Sequence, residues 1–159
     1  MQTMVGLGMI AVLCTGTPLY CESLENAALE AVEWWAYQEP RAQLSATLVN
    51  DIAGASADWT FTVEIGDCRR SHARPSERRI VICERVTPQA MPRVTTHEMG
   101  HIFGAIDQYP ECLYGLTIMC SDLAYYWPNP VSDITRELIG WGDFKVYKTY
   151  LPIALRQEE

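Results

Sequence analysis

Apolar residues along this chain recur with two periods, and those periods mark out its elements. In ESLENAALEAVEWWAYQ, positions 22 to 38, Leu24, Ala28, Ala31, Val32 and Trp35 return at three- and four-residue steps with acids between them. That spacing predicts a helix with one core-facing stripe. Pro40 stops it, and its tryptophans read as core. Shorter runs follow with strand character: QLSATLV, then a turn-like NDIAGASAD, then the alternating WTFTVEI, then RRIVICERV. Pro92 can open a second helix, since the first turn tolerates a missing N–H; this helix runs to Gly104. SDITRELIG predicts a short third helix, with Ser132 as N-cap and Gly140 at its end.

Three stretches are less clear. GMIAVLC near the N-terminus suits a buried strand and also resembles the apolar part of a signal peptide, so residues 1–14 keep both readings. CRRSHARPSERR carries five arginines and reads as a solvated loop, with a docking patch for an acidic partner as the alternative. Its His72, alone in a loop, is not expected to bind metal. The tail, residues 143–159, is apolar and strand-like but has no assigned role.

At 159 residues, the chain has room for one domain and little more, taken here as residues 1–142. A net charge of −8 argues against a general nucleic-acid surface. No apolar run is long enough for a membrane span, and a monomer is expected. The six cysteines include no CxxC pair, so a cysteine zinc knuckle is not indicated. Neighbour pairing in an oxidising compartment is expected: Cys14 with Cys21, Cys68 with Cys83, Cys112 with Cys120. Buried free thiols are the alternative for some of them.

The second helix carries the chemistry. TTHEMGHIFGAIDQY places His97 and His101 four apart, hence on one helix face. Two imidazoles so placed can hold one zinc ion at about 2.0 to 2.1 Å each. Glu98 points off that axis, close enough to reach a water without ligating the metal. Gly104 permits the left-handed turn that ends the helix, and the turned chain can bring Asp107 back as third ligand. Three protein ligands leave one position open, as in catalytic rather than structural sites.

HEMGHIFGAID resembles the metzincin zinc signature HExxHxxGxx(H/D), in the aspartate form of the snapalysin-like proteases. The resemblance covers about residues 5 to 142, by motif in the second helix and by pattern before it. It implies an α+β zincin: a twisted mixed sheet, an N-terminal helix, a zinc-binding active-site helix, a Met-turn and a C-terminal helix. It also implies that Met119, in LTIMCSD, lies in the Met-turn beneath the metal; an ordinary core methionine is the alternative. The pattern departs from the commoner family form in having Asp third, and in having Cys120 and Ser121 where some members place a tyrosine. Tyr109, Tyr125 and Tyr126 can each approach the site. The implied function is a secreted zinc endopeptidase acting on peptide or protein substrates, with Glu98 as general base. Two rivals remain: a zinc-binding module without turnover, and a zinc hydrolase of smaller amides.

Overall fold

The computed structural model describes residues 5–107, 118–120 and 131–141. Its elements are β1 (Leu7–Leu13), α1 (Pro18–Gln38), β2 (Ser45–Val49), β3 (Trp59–Gly66), β4 (His72–Arg74), β5 (Arg79–Cys83), α2 (Met91–Ile102) and α3 (Asp133–Leu138). The strands form a five-stranded sheet in the order β2-β1-β3-β5-β4. All neighbours pair in parallel except β4, which runs antiparallel to β5 at the edge. Parallel neighbours need crossovers, and α1 provides the one between β1 and β2.

The stretch with two readings at the N-terminus contains β1, with Ile10 fully buried. In β3 the expected alternation holds: Trp59, Phe61 and Val63 face the core. β5 instead buries Ile80, Val81, Ile82 and Cys83 in succession, as a strand covered on both faces must. Helix α1 begins four residues earlier than its apolar stripe suggested. Thr17 caps it, its side chain accepting from the Tyr20 N–H at 3.3 Å, and Pro18 occupies the first helical position.

The face of α1 predicted to be buried is buried, with Ala27 added. Its alanines let the helix lie close, and it packs most extensively on α2. Trp35 centres that contact. Its rings meet Phe103 and Trp141 edge-on at 5.4 and 5.7 Å, and its Nε1 donates to the Thr96 carbonyl at 3.0 Å. The α+β architecture expected from the sequence is present: a mixed sheet, an N-terminal helix, a motif-bearing helix and a C-terminal helix.

The arginine-rich segment was expected to be a plain loop, but it contains β4. This strand is three residues long, polar and at the edge, so it leaves no hydrophobic period. Backbone pairing of His72, Ala73 and Arg74 with Val81, Ile80 and Arg79 holds it in place. The disulfide Cys68–Cys83 closes the 15-residue segment around it, a constraint on the order of 3 kcal/mol. A second disulfide, Cys14–Cys21, ties the end of β1 to α1. Cys120 is also disulfide-bonded. The expected partner Cys112 lies outside the described residues, as do Tyr109, Tyr125, Tyr126, Ser121 and the 143–159 tail.

Candidate metal centre

Helix α2 is buried from Thr95 to Gly100 and half-buried on either side, at Pro92–Val94 and at His101 and Ile102. It ends as the spacing suggested. Gly104 has φ +102°, its N–H donates to the His101 carbonyl at 3.0 Å, and the Ala105 N–H donates to the Gly100 carbonyl at 2.9 Å. This reversal satisfies carbonyls left open by the last helical turn. It also carries the chain back, so that Asp107 faces the two histidines.

Both imidazoles are oriented by main-chain carbonyls. His97 Nδ1 donates to the Ile118 carbonyl at 2.8 Å and His101 Nδ1 donates to the Ala105 carbonyl at 2.9 Å. A carbonyl can only accept, so each neutral ring carries its proton on Nδ1 and turns an Nε2 lone pair inward. The two Nε2 atoms are 3.2 Å apart. Asp107 Oδ1 lies 3.2 Å from His97 Nε2 and 3.6 Å from His101 Nε2. With both Nδ1 positions protonated, this oxygen is buried with no hydrogen-bond donor among the described residues.

Three lone-pair atoms converging without a proton between them repel one another unless a positive charge joins them. Ligand atoms about 2.05 Å from a tetrahedral zinc stand roughly 3.3 Å apart. The observed triangle has that size, so the donor set fits a single zinc ion. The same attraction for positive charge acts on the ionisable groups. Burial opposes a charge on His97, yet its protonated form, with a second proton on Nε2, would hydrogen-bond to Asp107 as well as to the Ile118 carbonyl; with the charges of Glu98 and Asp107, this holds its pKa above the ordinary range. The Asp107 carboxyl is held low, chiefly by His97 and against its partial burial.

Glu98 is 6% exposed, beside this triangle. One of its carboxylate oxygens lies within 4.8 Å of histidine nitrogens of both rings. Glu98 is thus a second acidic candidate for the metal, beside Asp107, whose oxygen has the tetrahedral spacing. Burial is the largest influence on Glu98 and pushes its carboxyl up; His97 and His101 pull the other way, and Asp107 adds to the rise. A carboxylate with a raised pKa is a stronger proton acceptor.

These groups line a cleft of about 350 Å³. Its opposite wall is the β4 segment, including Arg70, Ser71 and His72. His72 is thus a wall residue, its Nδ1 3.1 Å from the Arg70 carbonyl; like Asp107, it stands outside the compact group of His97, Glu98 and His101 that could hold a metal among the described residues. Reasoning from sequence missed this wall and both orienting carbonyls. The alternation in SHAR was the one available hint of a strand. Met119 is fully buried, next to the residue whose carbonyl holds His97.

The sequence matches no protein-family model and no curated protein. Solved structures share its fold. A zinc-dependent peptidase from Methanocorpusculum labreanum superposes with a TM-score of 0.51, covering 84% of this chain and 100% of that one at 10% identity. Myroilysin gives a TM-score of 0.44 at 16% identity, covering 83% of this chain and 65% of that one. At 10% identity, the likeness to the archaeal peptidase establishes the common α+β architecture.

Proposed function

We propose that this chain is a zinc-dependent endopeptidase of metzincin type, with His97, His101 and Asp107 holding one zinc ion. The observation that carries the reading is the triangle of two inward Nε2 atoms and an orphaned carboxylate oxygen, with sides of 3.2, 3.2 and 3.6 Å. When bound there, zinc supplies Lewis acidity for a peptide carbonyl and acidifies water toward neutral pH. The chain's own residues do the rest. Ile118 and Ala105 fix the ring orientations, so the nitrogens need no rearrangement. Glu98 accepts a proton from the attacking water and returns it to the leaving amine as the C–N bond breaks. Met119 forms the floor of the site as the Met-turn residue. The edge of β4 offers backbone groups along the cleft, where an extended substrate can add as a further strand.

The architecture shared with a zinc-dependent peptidase is consistent with this reading. The disulfides suit an oxidising compartment, which supports secretion. No helix among the described residues is long and apolar enough to cross a membrane. The test is hydrolysis of casein or gelatin by the purified protein together with its metal content. Chelator-sensitive cleavage with one zinc per chain is the expected result. A zinc-loaded protein that cleaves no polypeptide returns the site to a binding role or to smaller amides.

A further inference from the structure

The cleft has a second chamber. A cavity of about 220 Å³ adjoins the site and shares Arg70, Ser71, His97 and Glu98 with it. Val86 and Val94 supply apolar lining, and Arg69, Arg70 and Arg85 bring positive charge to the rim. The chain as a whole is acidic, at −8, so three arginines around one chamber run against its average.

Four other arginines have acidic partners, while Arg78 donates to the Thr60 hydroxyl and Arg93 makes no ion pair with any described residue. Arg79 pairs with Glu64, Arg74 with Glu77, and Arg41 and Arg136 with Glu39. Arg69, Arg70 and Arg85 make no ion pair with any described residue. Their sequence neighbours Asp67 and Glu84 do not line the chamber. The positive field of Arg70 extends to Asp107, so the chamber and the metal centre share one electrostatic environment.

The backbone around this rim is tied down on both sides. The Cys68–Cys83 disulfide anchors the segment carrying Arg69 and Arg70, and Ser71 Oγ accepts from the Cys83 N–H at 3.0 Å. On the other side, the Tyr20 hydroxyl lies 3.0 Å from the carbonyls of both Glu84 and Val86, pinning the segment that carries Arg85 to α1. Guanidinium groups without acidic partners among the described residues, carried on a restrained backbone over apolar side chains, match a carboxylate on a short methylene stem.

We propose that this chamber is a specificity subsite for an acidic side chain of the substrate, Asp or Glu, adjacent to the scissile bond. The carboxylate sits among Arg69, Arg70 and Arg85, and its methylenes lie on Val86 and Val94. This rests on the peptidase reading and adds the substrate class to it. A C-terminal carboxylate has the same chemistry, so the test must separate the two.

The experiment uses zinc-loaded protein and peptides acetylated at the N-terminus and amidated at the C-terminus. Asp is compared with Asn, and Glu with Gln, at each position flanking the cleaved bond. At one position, the acid form is expected to have a kcat/KM about ten-fold or more above that of its amide. Arg70→Glu and Arg85→Glu should bring that ratio below one. Arg78→Glu, the same charge change at a residue lining neither cavity, should leave the ratio in place. Equal rates for acid and amide at every position in the wild type overturn the subsite, as does a ratio unchanged in both Arg70→Glu and Arg85→Glu. A preference seen only with free C-termini replaces the side chain by the terminal carboxylate and also overturns it. Absence of chelator-sensitive cleavage of any peptide or protein overturns the peptidase reading, and the subsite with it.

Discussion

Gly100 is packed directly against Met119. A Cβ added at Gly100 would overlap the Met119 sulfur and stand 3.0 Å from Cζ2 of Trp35. Glycine inside a helix is less favourable than alanine by about 1 kcal/mol, so the HEMGH helix gives up propensity for this close approach. The approach brings segment 118–120 near enough for the Ile118 carbonyl to accept from His97 at 2.8 Å. Gly100→Ala is therefore expected to destabilise the fold by about 1–2 kcal/mol, because overpacking outweighs the helix gain. In a Met119→Ala background the same change should cost less, the remainder coming from the tight contact with Trp35. Urea unfolding of the two single variants and the double variant measures this coupling. Equal effects of Gly100→Ala in both backgrounds would remove the packing argument.

Glu39 joins the C-terminal end of α1 to α3. It is 2% exposed and receives Arg41 at 2.5 Å and Arg136 at 2.8 Å. Burial works against its charge, but the hydrogen bonds from Arg41 and attraction to both guanidinium groups outweigh that and hold its carboxyl below the ordinary range. A depressed folded-state pKa contributes stability above the unfolded value of about 4.3. That stability is lost as pH falls through the lower folded value. Glu39→Gln should cost about 2 kcal/mol at pH 7, and the difference from wild type should shrink below about pH 4. Denaturant unfolding across that range checks both the magnitude and the sign; a gap that widens in acid contradicts the assignment.

Local spacing made part of this molecule legible. Leu24, Ala28, Ala31, Val32 and Trp35 share a face because 3.6 residues make a turn, and neighbouring residues alone determine that. The convergence of His97, His101 and Asp107 is nearly as local, since one helical turn and one glycine reversal span it. Arg136, by contrast, meets Glu39 across 97 residues, and no short-range pattern announces the pair. The carbonyls of Ile118 and Ala105 have no residue-type signature at all. The β4 segment was obscured for a third reason: pairing with β5 and a closing disulfide stabilise it without burying an apolar stripe. The strand gives the five arginines distinct positions: Arg69 and Arg70 line the cleft, Arg74 and Arg79 face acids, and Arg78 donates to Thr60.

The role of Glu98 separates cleanly from metal binding. If it moves the proton and does not ligate, Glu98→Gln should retain about one zinc per chain and lose at least about 10²-fold in kcat. The isosteric amide keeps the buried volume and removes the base. If Glu98 were a ligand, zinc content would fall together with activity. Elemental analysis of the purified variant beside its kcat distinguishes the two outcomes, and full activity in Glu98→Gln would reject the catalytic role.

Asp107 and His72 make opposite predictions for the third ligand. Asp107 Oδ1 is 3.2 and 3.6 Å from the histidine Nε2 atoms and has no hydrogen-bond donor among the described residues, whereas His72 lies across the cleft with its Nδ1 near the Arg70 carbonyl. Asp107→Ala should therefore lose zinc affinity and activity together, since an open site needs three deprotonated ligands. Asp107→Asn should fall between, its amide oxygen being a neutral and poorer donor. His72→Ala should keep its zinc. The fold should survive Asp107→Ala, because this half-exposed side chain belongs to no part of the apolar core. Metal content and circular dichroism of the three variants, prepared side by side, decide the matter. Zinc retained in Asp107→Ala and lost in His72→Ala would transfer the third ligand to the β4 wall.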